Sequence, residues 1–393
     1  MHSAILLALL PYVLAAPLII PRDAQLLPGK FIVKMKAEAS KESLEEAKGL
    51  LANSPDHEFD FGGFSGFSGS IAAATVTKLQ ALDAVEYIHQ DALVHTQEWQ
   101  TETGAPWGLG RISNVEKGSS TYIYDSSSGE GTCSYVIDTG IEVDHPEFEG
   151  RAEWLENFTG DGLDNDGYGH GTHCAGTIGS KTYGVAKKTK LYAVKVLDSG
   201  GSGSWSGVIA GIQYAANDQL TRDCPKGSVA NMSLGGGKTQ AVNDAVAAGV
   251  AAGLFFGVAA GNNNGNAANY SPASEPSACT VAASNSSDTK AIFSNYGALV
   301  DIWAPGVSVL STWIGASTNT ISGTSMATPH VVGLAAYLLG YEGIPTSALC
   351  ARIVELSQKD KITGVPTGTV NQLAYNGAIL NSTRRATRRA IPF

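Results

Sequence analysis

Hydrophobic positions follow two different patterns in two parts of the chain. Between about residues 28 and 96, short runs of different type succeed one another in a comparatively charged stretch. They are a strand-like run at 30–35, a helix-like run at 43–51, a glycine-rich turn region at 62–69 and a second helix-like run at 76–82. The order strand–helix–strand–helix–strand predicts a small α+β domain.

A longer pattern extends from Pro106 to about Asn381. Apolar strand-like runs such as Ser134–Ile137 and Leu191–Val196 alternate there with helix-like segments. This alternation is typical of a parallel sheet that is covered on both faces. Because 393 residues exceed the usual size of one domain, we expect one large α/β domain after the small one. The last segment, 382–393, contains four arginines without periodicity, which predicts a flexible tail.

The N-terminus has the pattern of an export signal. An apolar run at 5–14 is followed by small residues, which predicts a signal peptide over residues 1–16 and a secreted protein. The run is too short for a membrane anchor, and no later segment resembles a transmembrane helix. The alternative, a buried N-terminal helix, is disfavoured by Pro11 and Pro17.

Charge and cysteine content exclude some classes of partner and site. The formal net charge of −10 argues against a nucleic-acid partner, whose phosphates would be repelled. Export would place the five cysteines in an oxidising compartment, where an odd number allows at most two disulfides and one free thiol. Spacing alone does not choose the pairing, and the lack of a CxxC pair disfavours structural zinc. The cysteines are Cys133, Cys174, Cys224, Cys279 and Cys350.

Three short segments contain candidate catalytic side chains. Asp138 ends an apolar strand, at the edge where open α/β sheets place functional groups. His170 lies between two glycines before a small-residue helix, and Ser325 follows Gly323 at the start of an apolar helix. Taken singly, each has an ordinary alternative: a turn carboxylate, a packed histidine or a helix N-cap serine. His170 and His173 could also bind a metal from one helix face, but the glutamate of an HExxH site is missing.

Together these segments supply a carboxylate, an imidazole and a hydroxyl in the order Asp, His, Ser. Subtilisin has that order along the chain, whereas α/β-hydrolases and chymotrypsin have others. The sequence from Pro106 to Asn376 closely resembles the subtilase family, and within it the fungal proteinase K group. The resemblance is clearest at Ala105–Leu109, Ser233–Gly237 and Ala259–Asn264.

The resemblance implies a role for each of these side chains. Ser325 is expected to be the nucleophile, His170 the general base and then acid, and Asp138 the carboxylate that orients the imidazole. Asn262 matches the asparagine of the family's oxyanion hole, which acts together with the Ser325 backbone N–H. The implied fold is a three-layer, parallel-sheet α/β subtilisin-like catalytic domain over residues 101–381.

The resemblance also implies how a protein substrate is bound. Family members hold the peptide as an extra strand between two segments, which here match Gly201-Ser202-Gly203 and Ser233-Leu234-Gly235. Backbone hydrogen bonds of that kind ignore sequence, so broad specificity is expected. Apolar side pockets favour cleavage after apolar or aromatic residues. Their expected walls are Ala259, Ala260 and Gly261 at S1 and Trp205 at S4.

Two disulfides and a calcium site are implied in the same way. The implied pairs are Cys133–Cys224 and Cys279–Cys350, with Cys174 left as a free thiol. A calcium site of relatives has carbonyl and carboxylate ligands, which suit a hard cation. We therefore expect at least one structural Ca²⁺ as the cofactor. Its ligands would be the carbonyls of Pro276 and Ala278 and the carboxylate of Asp301.

The segment after the signal resembles the inhibitory propeptides of this family, most clearly at 66–70 and 85–91. We therefore expect an α+β propeptide over residues 17–100, with its core at about 28–96, that assists folding and inhibits the enzyme. Self-cleavage is expected between Thr96 and Thr101 and should release a monomer. Sequons for N-glycosylation occur at Asn157, Asn231, Asn269, Asn285 and Asn381, of which Asn231 adjoins the substrate-binding segment and is expected to stay unmodified.

Two other functions compete with proteolysis. A secreted pseudoenzyme that only binds is disfavoured because every catalytic position has a competent side chain. An esterase would use the same acyl chemistry, but no GxSxG motif surrounds Ser325. Casein hydrolysis that a serine-directed fluorophosphonate blocks would separate a protease from a binder. Esterase activity without peptidase activity would favour the esterase.

Overall fold

The computed structural model describes residues 15–21, 26–92 and 99–378. The chain divides into two compact units, with the boundary between Thr96 and Gln97. Most of the predicted signal peptide and the whole predicted tail lie outside the described residues. Among the described helices, none combines the length and the apolar character that crossing a bilayer requires.

The N-terminal unit is the predicted α+β domain. Its sheet has the strand order β1-β5-β2-β4-β3, in which only the β1–β5 pair is parallel. Its core contains Val33, Phe67, Leu79 and Ile88, all fully buried. The elements are β1 (Leu18–Ile19), β2 (Leu26–Met35), α1 (Lys41–Gly49), β3 (His57–Phe61), β4 (Phe64–Ser70), α2 (Ala73–Gln80) and β5 (Val85–Ala92).

The glycine-rich region 62–69 differs from the predicted turn. Only Gly62 and Gly63 form the turn, and the chain then continues as β4 in a hairpin with β3. Gly66 lies within that strand, and only glycine fits there because any Cβ would overlap the Val33 carbonyl of the paired strand β2. The prediction was wrong because glycine marks close backbone approach as well as turns.

The C-terminal unit contains a nine-stranded sheet of order β9-β10-β8-β11-β13-β15-β16-β20-β19, parallel except for its last pair. The elements are β6 (Trp99–Thr103), α3 (Trp107–Ser113), β7 (Thr121–Asp125), β8 (Thr132–Asp138), β9 (Ala152–Asn157), α4 (His170–Gly179), β10 (Lys190–Lys195), α5 (Trp205–Asp218), β11 (Gly227–Met232), β12 (Gly236–Gly237), α6 (Gln240–Ala251), β13 (Phe255–Ala259), β14 (Tyr270–Ser271), β15 (Cys279–Ser284), β16 (Ile302–Pro305), β17 (Val309–Trp313), β18 (Ser317–Ile321), α7 (Thr324–Glu342), α8 (Leu349–Leu356), β19 (Gln358–Lys359) and β20 (Gln372–Leu373).

Helices cover both faces of this sheet, which gives the expected three layers. In β8, Tyr135 and Ile137 pack on one face in a cluster with residues of α5 and α6. Val136 points to the other face and packs in a cluster with residues of α4 and α7. Because successive strand residues face opposite sides, a strand between two helix layers must be apolar throughout.

The topology places a crevice beside β8. The chain leaves β8 towards β9 and β10 on one side, and later returns as β11 on the other side. The carboxyl ends of β8 and β11 therefore border a switch point, where open parallel sheets bind their ligands.

Both disulfides implied by the resemblance are present. They join Cys133 to Cys224 and Cys279 to Cys350, and Cys174 is a buried free thiol. Their sequence separations of 91 and 71 residues enclose long loops. The chain-entropy model gives such loops about 4 kcal/mol of stabilisation each.

Candidate active site

Asp138 and His170 meet at the carboxyl end of the sheet. Asp138 is the last residue of β8 and His170 is the first of α4. The imidazole Nδ1 lies 2.7 Å from Asp138 Oδ1, which also accepts the Thr139 N–H at 2.8 Å. Gly171 makes this approach feasible, because any Cβ there would overlap the Gly140 carbonyl oxygen. The glycine beside the histidine therefore lets two backbone segments approach each other closely.

The surroundings of His170 favour a protonated imidazole. Burial alone would lower the pKa of His170, but the charge and hydrogen bond of Asp138 outweigh it, and Asp166 adds to the same effect. The net result is a pKa raised above the usual range. An imidazole whose charged form is stabilised in this way is suited to accept a proton from a hydroxyl.

Ser325 lies at the first turn of α7 and borders the same cleft as His170. Its hydroxyl donates to the Ser233 carbonyl at 3.1 Å, and the Ser233 hydroxyl donates to the Ser325 carbonyl at 2.8 Å. The hydroxyl is thus directed at Ser233 and not at the imidazole in this arrangement. Rotation about the Cα–Cβ bond redirects a serine hydroxyl without any movement of the backbone.

The Asn262 side chain is fixed with its amide nitrogen towards Ser325. The N–H and the hydroxyl of Thr324 both donate to Asn262 Oδ1, at 2.8 and 2.9 Å. A Cβ placed on Gly323 would lie 3.7 Å from Asn262 Nδ2 and 3.5 Å from the Ser325 nitrogen. The two nitrogens therefore border one small space. The Ser325 N–H is in the first turn of a helix, where no helical carbonyl accepts it.

These residues line a cleft of about 770 Å³, a size typical of ligand sites. Most of the predicted binding residues line it as well: Gly201, Ser202, Gly203, Trp205, Ser233, Leu234, Gly235, Ala259 and Gly261. Ala260 is the exception, because its side chain is fully buried in a core cluster with Ala282 and Trp303. The expectation that Ala260 lines the pocket is wrong, since neighbouring residues of an extended chain face opposite sides.

Comparison with known proteins decides the family. The model of the subtilase family matches residues 129–364, which is more than half of the chain, and the model of peptidase inhibitor I9 matches residues 30–97. This chain belongs to the subtilase family. The protein is a subtilisin-like serine protease with an N-terminal inhibitor segment, as its sequence resemblance implied.

Relatives of this subtilase match over its whole length or over its catalytic part. A cuticle-degrading protease of Metarhizium anisopliae is 54% identical over 96% of this chain and 100% of its own. Proteinase T of Parengyodontium album is 56% identical over 74% of this chain and 99% of its own. A crystal structure of a cold adapted subtilisin-like serine proteinase has 42% identity and a TM-score of 0.65, covering 70% of this chain and 99% of its own.

Sequence reasoning missed several residues of the subtilase cleft. Tyr168 and Tyr270 line it, and the Tyr168 ring is 45% exposed although it packs beside Gly201. An aromatic residue between two glycines, two positions before the predicted base, was the available signal for Tyr168. No local sequence signal marked Asp166 or Lys195, which are buried beside the cleft. Asp166 accepts a hydrogen bond from the Thr139 hydroxyl, and the Lys195 ammonium donates to the Thr139 carbonyl.

Cys174 and His173 follow His170 on α4 and have ordinary structural roles in this subtilase. Asp138, His170 and Cys174 bring ligand atoms within 4.8 Å of one another. Burial raises the pKa of the Cys174 thiol well above its usual range, so it remains protonated. His173 donates from Nε2 to the Val309 carbonyl at 3.0 Å, and burial lowers its pKa to about 4. The structure therefore offers no support for a metal site made of the two histidines.

The predicted calcium ligands lie at the starts of adjacent strands. Ala278 precedes β15 and Asp301 precedes β16, and these strands are paired. Burial raises the pKa of Asp301 to about 6, although its carboxylate accepts the Thr280 N–H at 2.7 Å. A carboxylate whose charge is disfavoured by burial gains from a nearby cation. An oxygen donor with an uncompensated charge suits Ca²⁺, so Asp301 fits the role of a calcium ligand.

Proposed function

We propose that this subtilase is a secreted serine endopeptidase of broad specificity that cleaves after apolar or aromatic residues. It is synthesised as a zymogen and removes its own propeptide. The observation that carries the proposal is the 2.7 Å hydrogen bond between His170 and Asp138, at a cleft that Ser325 and Asn262 also line. Three groups from distant parts of the chain, held at one cleft of a serine protease fold, suit acyl transfer.

The mechanism follows from the chemistry of these groups. Ser325 Oγ attacks the scissile carbonyl while His170 Nε2 takes its proton, and Asp138 stabilises the imidazolium that forms. Asn262 Nδ2 and the Ser325 N–H donate to the oxyanion of the tetrahedral intermediate. The imidazolium protonates the leaving amine, and water then hydrolyses the acyl-enzyme with the imidazole again as base.

Substrate recognition rests on backbone and on apolar walls. The segments 201–203 and 233–235 both line the cleft, and their backbone groups would bind an extended peptide. Leu234 and Ala259 also line the cleft and would supply apolar surface to a substrate side chain. Trp205 packs against Gly236 so closely that a Cβ on Gly236 would lie 2.8 Å from the Trp205 indole ring. We propose that this ring is the wall of a second apolar pocket.

The propeptide cleavage site is proposed to lie before Trp99. Residues 96–98 of the expected range lie outside the described residues. Trp99 begins β6, which pairs along its whole length with β7 of the catalytic unit, from Trp99–Asp125 to Thr103–Thr121. Cleavage after Trp99 or Gln100 would remove part of this strand. Cleavage before Trp99 leaves β6 whole in the mature enzyme.

Secretion and calcium binding complete the proposal. Two disulfides persist in oxidising compartments, which supports export from the cell. The carbonyls of Pro276 and Ala278 and the Asp301 carboxylate would hold one Ca²⁺, whose contribution is to stability. The ion takes no part in the proposed steps of catalysis.

The deciding experiment compares the wild-type protein with Ser325→Ala. The wild type should hydrolyse casein, lose this activity to a serine-directed fluorophosphonate, and show its mature N-terminus at or just before Trp99. Ser325→Ala should be inactive and retain its propeptide when purified without other proteases. A peptide library should show cleavage after apolar or aromatic residues. Cleavage strictly after Lys or Arg, or casein hydrolysis by Ser325→Ala, would refute the corresponding part.

A further inference from the structure

A buried carboxylate that the proposed mechanism does not use lies beside the Asp138–His170 pair. Asp166 is buried, and its two oxygens accept five hydrogen bonds. Oδ1 accepts the Thr139 hydroxyl at 2.8 Å, the Tyr168 N–H at 3.0 Å and the Gly169 N–H at 2.8 Å. Oδ2 accepts the N–H and the hydroxyl of Thr172, at 2.9 and 2.6 Å. Such complete pairing is required of a buried charge.

These bonds connect the two elements that carry the catalytic pair. Thr139 follows Asp138 at the end of β8, and its hydroxyl donates to Asp166 while accepting the Gly171 N–H at 2.9 Å. Gly171 and Thr172 belong to the first turn of α4, which begins at His170. The Asp166 carboxylate therefore holds the end of β8 and the start of α4 together from one point.

Asp166 also replaces a missing helix cap. The N-cap residue of α4 is Gly169, which has no side chain to accept the free N–H groups of the first turn. Asp166 accepts the Thr172 N–H instead, and its negative charge lies at the positive end of the helix dipole. The glycine is thus tolerated before His170 because a carboxylate outside the helix does the work of the cap.

We propose that Asp166 is a positioning residue of the catalytic site, which fixes His170 against Asp138 and stabilises the imidazolium by its charge. The inference rests on the proposed function, because it assigns His170 the role of base. Asp166 does not contact substrate and acts through Thr139 and the first turn of α4. A small misplacement of a catalytic group can lower the rate about 100-fold, so this connection is expected to matter for turnover.

The charge of Asp166 gives a test that a purely structural role would fail. The coulombic effect of Asp166 raises the pKa of His170, as the larger effect of Asp138 does, whereas burial lowers it. The titratable and polar groups that face the imidazole come from several elements. They are Asp138 of β8, Asp166 of the loop before α4, His173 and Cys174 of α4, Ser325 of α7, and Lys195, whose ammonium donates to the Thr139 carbonyl. Activity requires a neutral imidazole, so it rises with pH through the pKa of His170. Loss of the Asp166 charge should therefore move this acidic limb to lower pH.

The experiment uses Asp166→Asn, with Asp164→Asn as the matched control. Asp164 is an exposed carboxylate in the same loop, so the control removes the same charge from a position outside the network. Immobilised wild-type enzyme removes the propeptide from each variant in trans and is then filtered off. Titration with a fluorophosphonate counts the folded sites, and kcat, KM and the pH dependence of kcat/KM are measured with one peptide substrate.

We expect Asp166→Asn to lower kcat about 10- to 100-fold, with KM changed less than about threefold, and to shift the acidic limb to lower pH. Asp164→Asn should match the wild type. A third variant, Thr139→Val, removes the connection but keeps the Asp166 charge, so kcat should fall about tenfold while the limb stays in place.

Wild-type kcat and an unshifted limb in Asp166→Asn would overturn the inference, and so would a loss confined to KM. If that variant yields no titratable sites, Thr139→Val decides: a tenfold loss of kcat supports the inference and wild-type kcat overturns it. Failure of the proposed function itself would look different. In that case the wild-type enzyme would not cleave the peptide, or Ser325→Ala would still cleave it.

Discussion

Replacement of Arg111 by Met should cost this enzyme more stability than any exposed ion pair contributes. Arg111 lies on α3 with only 2% of its side chain exposed, and Asp288 opposite is 9% exposed. Its Nε and Nη2 donate to the two Asp288 oxygens at 2.7 and 3.1 Å, and Nη2 also donates to Gln358 at 3.0 Å. Nη1 donates to the Asn114 carbonyl at 2.8 Å. One side chain therefore joins α3 to two distant segments of the chain.

The magnitude follows from what Arg111→Met leaves behind. Methionine fills much of the same volume, but the Asp288 carboxylate stays buried without its cation. Removal of one partner of a buried pair typically costs about 3–5 kcal/mol. At roughly 2–3 °C per kcal/mol for a domain of this size, the melting temperature should fall by about 6–15 °C.

The assay is thermal unfolding of the mature enzyme after inactivation by a serine-directed fluorophosphonate, which prevents self-digestion. Glu130→Gln is the control, because it breaks an exposed pair in which Lys188 is 51% and Glu130 69% exposed, and it should cost less than about 1 kcal/mol. Asp288→Asn should also destabilise, and the double variant should lose less than the sum of the two. A fall for Arg111→Met no larger than that of the control would refute the reasoning.

Three further predictions concern catalysis, acid stability and calcium. Asn262→Ala should lower kcat about 10²–10³-fold with little change in KM, which steady-state kinetics would show; an unaltered kcat would remove Asn262 from the oxyanion hole. Burial lowers the pKa of His173 and His330 to about 4 from an ordinary 6.5, so their contribution to stability is complete above pH 6.5 and is lost as the pH falls towards 4. That loss should reach at most about 3 kcal/mol for each histidine. Urea unfolding of the inactivated enzyme at pH values from 7 to 4 would measure it. A free energy of unfolding that does not change over this range would show that the two buried histidines are not neutral. Burial raises the pKa of Asp301 to about 6 from an ordinary 3.8, so the folded enzyme loses stability as the pH rises from 3.8 through 6. Because Ca²⁺ binds the ionised carboxylate, added Ca²⁺ should raise the melting temperature more above pH 6 than below it. Asp301→Asn should abolish that difference, whereas an equal calcium response at both pH values would argue against Asp301 as a ligand.

Local sequence was sufficient to predict a helix or strand wherever the burial of a segment follows one regular pattern along its length. The apolar run of β8 predicted a strand covered on both faces, and the small-residue segment after His170 predicted α4, because burial and periodicity are properties of consecutive residues. The side chains of the proposed triad could be named for the same reason, since each lies in a short motif whose residue types resemble a family. The two disulfide pairs followed from that resemblance and are present in the structure.

The sequence could not predict contacts between residues that are far apart along the chain. The sequence alone predicts a turn at Gly66, because the Val33 carbonyl that excludes a Cβ belongs to another strand. Ala260 was assigned to a pocket wall because only the packing around it shows which way the side chain points. The Arg111–Asp288 pair spans 177 residues, and no pattern in either segment marks it.

The sequence by itself determined the family, the fold class of the two units and the identity of the proposed catalytic side chains, because these depend on residue type and spacing. Only the tertiary structure decided which side chains support them. It brings Asp166 beneath the start of α4 and Lys195 behind Thr139, and it directs the Ser325 hydroxyl at Ser233. Each of these contacts depends on how the parallel sheet packs strands and helices that are distant in sequence. Local sequence patterns do not specify that packing.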